Sequence, residues 1–151
     1  MELEKIREYM IFAGLSRDEI AAILARGVQC SYEKNDVILE ESSKSADLFI
    51  ILEGRVSVEV DARQFDQTRR KQIVLLRPGD VFGEIGFLEG MRRSAHVIAI
   101  DNVVTYRLDA DNLNDLFEHK AHIGYRLMRN LGLILARRLL DANFRWRDEI
   151  R

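Results

Sequence analysis

The chain has 151 residues and a formal net charge of −2. These values fit one domain with a single core and exclude the strongly basic balance of a generic nucleic-acid binder. One cysteine, Cys30, and three histidines exclude an internal disulfide and a Cys/His metal cluster. The charged start MELEKIREYM and the lack of any run near ~20 apolar residues predict a cytoplasmic protein with no membrane partner.

The first 27 residues predict helices. A helical turn is expected around residues 3–9. The segment SRDEIAAILARG opens with Ser16 and has Glu19 three residues later, which is the capping-box spacing, and it closes with Gly27. Apolar residues recur between them at helical spacing, so the segment predicts a short amphipathic helix.

From Val28 to Leu108 the hydrophobic period changes to two. Seven short β-rich runs alternate with turn signals such as EKND, EGR and RPGD, and RVSVEV alternates strictly. Many short strands at even spacing predict a mainly β, α+β fold, an antiparallel β-roll of the double-stranded β-helix or jelly-roll type. The polar insertion DARQFDQTRRK predicts a solvated hairpin loop.

The last zone, 109–151, is predicted to be helical again. DADNLNDLFEH predicts a capped short helix, and IGYRLMRNLGLILARRLLDANFRW predicts a long one. The predicted organisation is a single domain over 1–151, with N-terminal helices in 1–27, a β-roll in 28–108, and a hinge and long helix in 109–151.

The long helix carries two apolar stripes when its residues are placed at 100° intervals. The broad stripe is predicted to face the domain and contains Ile123, Leu127, Met128, Leu131, Ile134, Leu135, Leu139 and Trp146. The second lies on the far side and contains Leu133, Ala136, Leu140 and Phe144. Scattered surface residues would explain the second stripe, but its spacing favours a partner helix. We therefore predict a homodimer through this helix.

Arg138 projects from the broad, inward stripe. Two explanations stand at this point. Either the guanidinium meets a carboxylate or phosphate, or the stem covers apolar surface while the head reaches water.

The stretch FGEIGFLEGMRRSAHV, residues 82–97, combines groups that suit a nucleotide. Gly83 permits close backbone approach, and IGFLEG is short enough for a single helical turn whose free N–H groups favour an anion. Arg93 supplies a guanidinium that can grip phosphate oxygens, and Ser94 a hydroxyl. Glu84 supplies an acceptor for a sugar hydroxyl.

The order FGE followed by RSAHV resembles the phosphate-binding cassette of the cyclic nucleotide-binding domain family, which includes the catabolite activator protein and protein kinase A regulatory subunits. LEGRVSV and LRPGDVFGE are also similar to that family's strand and turn signatures. The resemblance implies Glu84 as the acceptor for the ribose 2′-hydroxyl and Arg93 as the partner of the cyclic phosphate. It implies ligand binding by Gly83, Glu84, Ile85, Arg93, Ser94 and Ala95.

The same resemblance implies that the long helix closes over the base. Arg138 would then pair with Glu84, and ligand binding would bias the position of the helix. Candidate base contacts or supporting residues are His96, Arg138, Asn143 and Trp146, with Phe144 as an alternative stacking residue. The alternatives are that His96 faces the wall of the roll, and that Asn143, Phe144 and Trp146 take part in ordinary helix or dimer packing.

The expected function is a cyclic nucleotide sensor, with cyclic AMP favoured, that acts through its dimer or on an unidentified effector protein. Cyclic GMP and cyclic dinucleotides stay open. Because no helix-turn-helix follows in these 151 residues, no direct DNA binding is expected. The alternatives are the ligand-binding fragment of a transcription regulator of the activator type, and a degenerate domain used only for protein interaction.

An enzyme is not expected. Metal-dependent cupins need several histidines inside the roll, but only His96 falls there, and no Ser/His/Asp or Cys/His arrangement can be placed. We accordingly expect no metal and no cofactor.

Overall fold

The computed structural model describes residues 3–40, 46–60, 72–90 and 95–150. Within the helix that ends the chain, the side chains of residues 143–150 lie outside this description. The predicted hairpin loop over 61–71 lies outside it entirely.

Two N-terminal helices form, α1 (Leu3–Ile6) and α2 (Arg17–Leu24), with a 3-10 turn at Met10–Phe12 between them. The predicted capping box of α2 is present. Ser16 Oγ accepts from the Glu19 backbone N–H at 3.2 Å, and Glu19 Oε1 accepts from the Ser16 N–H at 2.9 Å. The 3-10 turn was not predicted, because a single turn has no hydrophobic period to detect.

In the described residues, eight strands form two four-stranded antiparallel sheets, which confirms the predicted β-roll. The first sheet has the order β1 (Gly27–Tyr32), β8 (Val103–Leu108), β3 (Leu48–Glu53) and β6 (Val81–Phe82). The second has the order β2 (Val37–Leu39), β7 (His96–Ala99), β4 (Val56–Val60) and β5 (Gln72–Leu76). All the predicted runs became strands. The two-residue β6 is additional, and it leads directly into α3 (Glu84–Glu89).

Two apolar clusters hold this arrangement together. One lies inside the roll, where Phe49 and Phe82 stack with ring centroids 4.8 Å apart. The other joins the first sheet to the helices, and it includes Ile11 and Phe12 from the N-terminal region and Phe87 from α3. The second cluster therefore connects all the helical parts of the molecule to the strand that precedes α3.

The chain ends in α4 (Ala110–His119) and the long α5 (Ala121–Ile150). The inward face of α5 is narrower than predicted. Ile123, Leu127 and Leu131 are buried, but Met128 is 40% exposed and Leu139 is 64% exposed. These two residues lie at the flank of the stripe, where the helix surface already turns away from the domain. In the described part of the chain, no helix is long and apolar enough to cross a membrane.

Candidate functional site

A cavity of about 210 Å³ lies where the roll, α3 and α5 meet. Its walls are mainly apolar, and its polar side chains are Glu84 from α3 and Arg138 from α5. The lining consists of Leu39, Val58, Val74, Leu76, Phe82, Gly83, Glu84, Ile85, Gly86, Ala95, Val97 and Arg138. Three separate elements therefore contribute to one small chamber.

Gly83 sets the direction in which the chain enters α3. Its φ of +82° lies in the left-handed region, which costs a residue with a side chain roughly 1–2 kcal/mol. This conformation lets the chain turn directly from Phe82, at the end of β6, into the first helical turn. Gly83 is the N-cap, and its carbonyl accepts from the Phe87 N–H at 3.1 Å. The turn places Glu84 at the cavity.

Glu84 is paired across the cavity with Arg138. Arg138 Nη1 lies 3.3 Å from Glu84 Oε1, and the Glu84 side chain is only 15% exposed. Arg138 Nη2 also donates to the Val81 carbonyl in β6. A largely buried carboxylate is stabilised by a paired cation, so α5 supplies the counter-charge that α3 lacks.

The strand β7 and the residue that precedes it also contribute to the lining of the cavity. Ala95 and Val97 line the chamber, and the alternation of a strand places His96 on the other face. The side chain of His96 is therefore directed away from the chamber. Ile85, which is 43% exposed, lies at the rim.

Several residues singled out in the sequence fall outside the described structure. Arg93 and Ser94 belong to residues 91–94, which are not described. Asn143, Phe144 and Trp146 lie within α5, but their side chains are not described. Of the predicted site residues, the structure brings together Gly83, Glu84, Ile85, Ala95 and Arg138.

The apolar part of the lining and the Val81 carbonyl were not predicted from the sequence. Val58 and Val97 sit on the inward side of alternating strands, so their alternation could have indicated them. The backbone acceptor had no sequence signal. Among the described residues, no group of three or more His, Cys, Asp or Glu side chains is arranged to hold a metal ion.

Comparison with known proteins identifies relatives over most of the chain. The family model for the cyclic nucleotide-binding domain matches residues 29–120. Glutaminase 2 of Bradyrhizobium diazoefficiens is 33% identical over 136 residues, which cover 90% of this chain and 20% of the relative. The CRP-like cAMP-activated global transcriptional regulator of Mycobacterium tuberculosis is 26% identical over 133 residues, covering 88% of this chain and 56% of the relative. This chain thus spans about half or less of the length of these curated relatives.

Solved structures share the fold. A cyclic nucleotide-binding domain from Methylobacillus flagellatus superposes with a TM-score of 0.85 and 23% identity, covering 95% of this chain and 81% of that one. At this identity the likeness establishes the fold alone, and the family model establishes the family. The chain belongs to the cyclic nucleotide-binding domain family.

Proposed function

We propose that the domain binds a cyclic mononucleotide, cyclic AMP in preference to cyclic GMP, and transmits occupancy through α5. The observation that carries this proposal is the position of Glu84. Its carboxylate lies 3.3 Å from Arg138, a residue of the helix that would report binding, and it faces a chamber with apolar walls. One group can therefore contact the ligand and the reporting helix together.

The sugar and phosphate ends of the ligand are assigned to the two ends of the cassette. Glu84 accepts a hydrogen bond from the ribose 2′-hydroxyl, and the backbone around Gly83 and Ile85 contacts the sugar. Arg93 grips the cyclic phosphate, while Ser94 and the Ala95 N–H add hydrogen bonds. Ala95 lines the same chamber as Glu84, which supports a single ligand spanning both ends.

The preference for adenine rests on the apolar lining. Val58 and Val74 line the chamber, and in the described part of its wall Glu84 and Arg138 are the only charged or polar side chains. Adenine carries one exocyclic polar group, an amino group, whereas guanine carries an amino group and a carbonyl. Guanine therefore has more polar groups that lose water on entry and need partners. The name of the M. tuberculosis relative, a cAMP-activated regulator, agrees with this preference.

The response to ligand is assigned to the contact between α3 and α5. A ribose hydroxyl that hydrogen-bonds to Glu84 changes the free energy of the contact between Glu84 and Arg138. A ligand shifts the equilibrium between two positions of α5 only if it changes their relative free energies in this way. Asn143 and Trp146 are proposed to approach the base from the end of α5. For His96, whose side chain is directed away from the chamber, contact with the wall of the roll is the better assignment.

The outward face of α5 supports the proposed homodimer. The apolar side chains on this face and at its flank are 40–64% exposed. They are Tyr125, Met128, Leu133, Leu139 and Leu140. Gly132 lies among them, and a Cβ placed there would have no atom within 4 Å, so another helix could approach closely. Because α5 is proposed to move with ligand occupancy, the surface that the dimer presents to an effector protein would also change with ligand.

A second candidate function is that of a sensor domain within a longer regulator. The observation that favours it is coverage, since the matched regions make up 56% of the CRP-like regulator and 20% of glutaminase 2. A degenerate domain without ligand is disfavoured, because Glu84 lines the chamber and Arg93 is present in the sequence.

Titration calorimetry with cyclic AMP tests the binding assignment. Arg93→Ala should abolish binding, and Glu84→Gln, which keeps the shape but removes the charge, should weaken it about tenfold or more because a charged hydrogen bond is lost. Arg92→Ala is the matched control, since Arg92 is the neighbouring arginine in the sequence and the family resemblance gives it no contact with the phosphate. Unchanged affinity in Arg93→Ala would rule out the assignment.

Hydrogen exchange tests the role of α5. Saturating cyclic AMP should slow exchange in residues 123–147, because the helix is held more firmly against the cassette. No ligand-dependent protection in this range would contradict the closing-helix mechanism while leaving the binding assignment intact.

A further inference from the structure

Asn130 is a buried amide on the inward face of α5. It is 3% exposed and lies among the buried side chains Leu127, Leu131 and Ile134. Burying an amide is unfavourable unless its hydrogen bonds are made. Both N–H groups of Nδ2 are used, since they donate to the Ile11 carbonyl at 2.8 Å and to the Ala13 carbonyl at 2.9 Å. These acceptors lie 119 and 117 residues away in the sequence.

The segment that Asn130 holds is the 3-10 turn and the residues just after it. Arg126, one helical turn before Asn130, extends its guanidinium over Gly14, where a Cβ would lie 3.0 Å from Arg126 Cζ. Arg137, further along α5, places Nη1 3.7 Å from Met10 Sδ. Residues 126, 130 and 137 fall on one line of the helix. Residues 10–14 are therefore held along α5 at three points.

Tyr9, the residue before the 3-10 turn, contacts the segment that leads into the cassette. A Cβ on Gly79 would lie 3.2 Å from the Tyr9 ring, so the ring rests directly on the Arg77–Asp80 turn. That turn is fixed by the Arg77 N–H, which donates to Asp80 Oδ2 at 3.0 Å. The next residue, Val81, starts β6 and accepts from Arg138.

Two routes thus connect α5 to the cassette. The direct route is Arg138 with Glu84 and Val81. The second runs from Asn130 through residues 9–14 to Gly79. We propose that Asn130 is a positioning residue for the nucleotide site, which fixes α5 along its axis so that Arg138, about 12 Å further along the helix, meets Glu84. This role rests on the proposed function, in which the Glu84–Arg138 contact transmits occupancy.

Asn130→Asp tests the proposal, because a carboxylate of nearly the same shape cannot donate and faces two carbonyl oxygens. Asn114→Asp is the matched control, since Asn114 is exposed on α4. Asn130→Ser, whose neutral side chain is too short to reach the two carbonyl oxygens, is measured in parallel in case the charged variant fails to fold. With calorimetry against cyclic AMP, we expect Asn130→Asp to weaken binding about five- to tenfold and the control to match the unaltered protein. Unchanged affinity in both Asn130 variants would overturn the proposal.

A double-mutant cycle separates positioning from a general loss of stability. Sites this far apart normally give independent effects. We expect Asn130→Asp combined with Arg138→Met to bind no more weakly than the worse single variant, because both changes break one unit. Losses that multiply would overturn the proposal.

A measurement without nucleotide keeps this test separate from the proposed function. In hydrogen exchange, Asn130→Asp should speed exchange at residues 84–89 and 134–140 as well as at 10–14, relative to the control. A rise confined to 10–14 would mean that Asn130 only anchors the N-terminal segment. If the unaltered protein bound no cyclic nucleotide, the proposed function would fail, and this exchange pattern would still decide the role of Asn130.

Discussion

The ion pair between α3 and α5 gives a quantitative prediction. Arg138→Met keeps the apolar stem and removes the charge that lies 3.3 Å from Glu84, together with the hydrogen bond to the Val81 carbonyl. At that distance two unit charges attract by about 1.3 kcal/mol in bulk water and about 5 kcal/mol at an effective dielectric constant of about 20. Glu84 is 15% exposed and Arg138 is 30% exposed. The net loss should therefore fall between an exposed pair, below ~1 kcal/mol, and a buried pair, ~3–5 kcal/mol.

We expect Arg138→Met to lower the free energy of unfolding by about 1–2 kcal/mol, or Tm by roughly 3–6 °C, in thermal unfolding without nucleotide. Arg26→Met is the control, because it breaks a pair with Asp115 at the same 3.3 Å in which the carboxylate side chain is 55% exposed. The control should lose less than half as much. Equal losses in the two variants would refute the argument that burial of Glu84 gives the pair its strength.

Three further predictions concern α2, the cassette turn and the dimer. The hydrogen bond from the Ser16 backbone N–H holds the pKa of Glu19 below its ordinary value. The charged carboxylate therefore stabilises the fold above the unfolded pKa of about 4.3, and this stabilisation is lost as the pH falls through the lower folded pKa. Glu19→Gln should flatten the dependence of Tm on pH in acid. Gly83→Ala should cost about 1–2 kcal/mol in urea unfolding, because its φ is +82°. Leu140→Glu should convert a dimer into a monomer in sedimentation, while Leu75→Glu, at a similarly exposed site on β5, should not.

Each of these has a clear opposite result. An unchanged acid profile in Glu19→Gln would remove the capping box as a source of acid sensitivity. Full stability in Gly83→Ala would mean that the turn adapts to a side chain. Monomer in the unaltered protein at micromolar concentration would reject the homodimer.

The sequence predicted the β-roll well, because period-two alternation is local and each run could be identified by itself. For Arg138 the residue pattern left two explanations open, an anionic partner or a head group in water. The structure has the carboxylate of Glu84 there, which is the partner that the family resemblance implied. The exposed Met128 and Leu139 were assigned wrongly. Residues at the flank of a helical stripe cannot be placed by angle alone, because the neighbouring elements decide how far the buried face extends.

Other features had no local signal at all. The two hydrogen bonds of Asn130 join residues more than 100 positions apart. Asparagine is mostly exposed in folded proteins, so the residue type did not indicate that Asn130 is buried. The two-residue β6 and the 3-10 turn are too short to show a period. Of these two short elements, β6 leads into Gly83, and the 3-10 turn carries the Ile11 carbonyl, one of the two that accept from Asn130.

Direct titration of the protein with cyclic AMP tests the central claim most directly. Calorimetry should give one site per chain, with a lower Kd for cyclic AMP than for cyclic GMP and a much lower one than for linear 5′-AMP, which lacks the ring that joins phosphate and sugar. No heat with cyclic AMP, or equal affinity for the linear nucleotide, would contradict the assignment of this chamber as a cyclic nucleotide site.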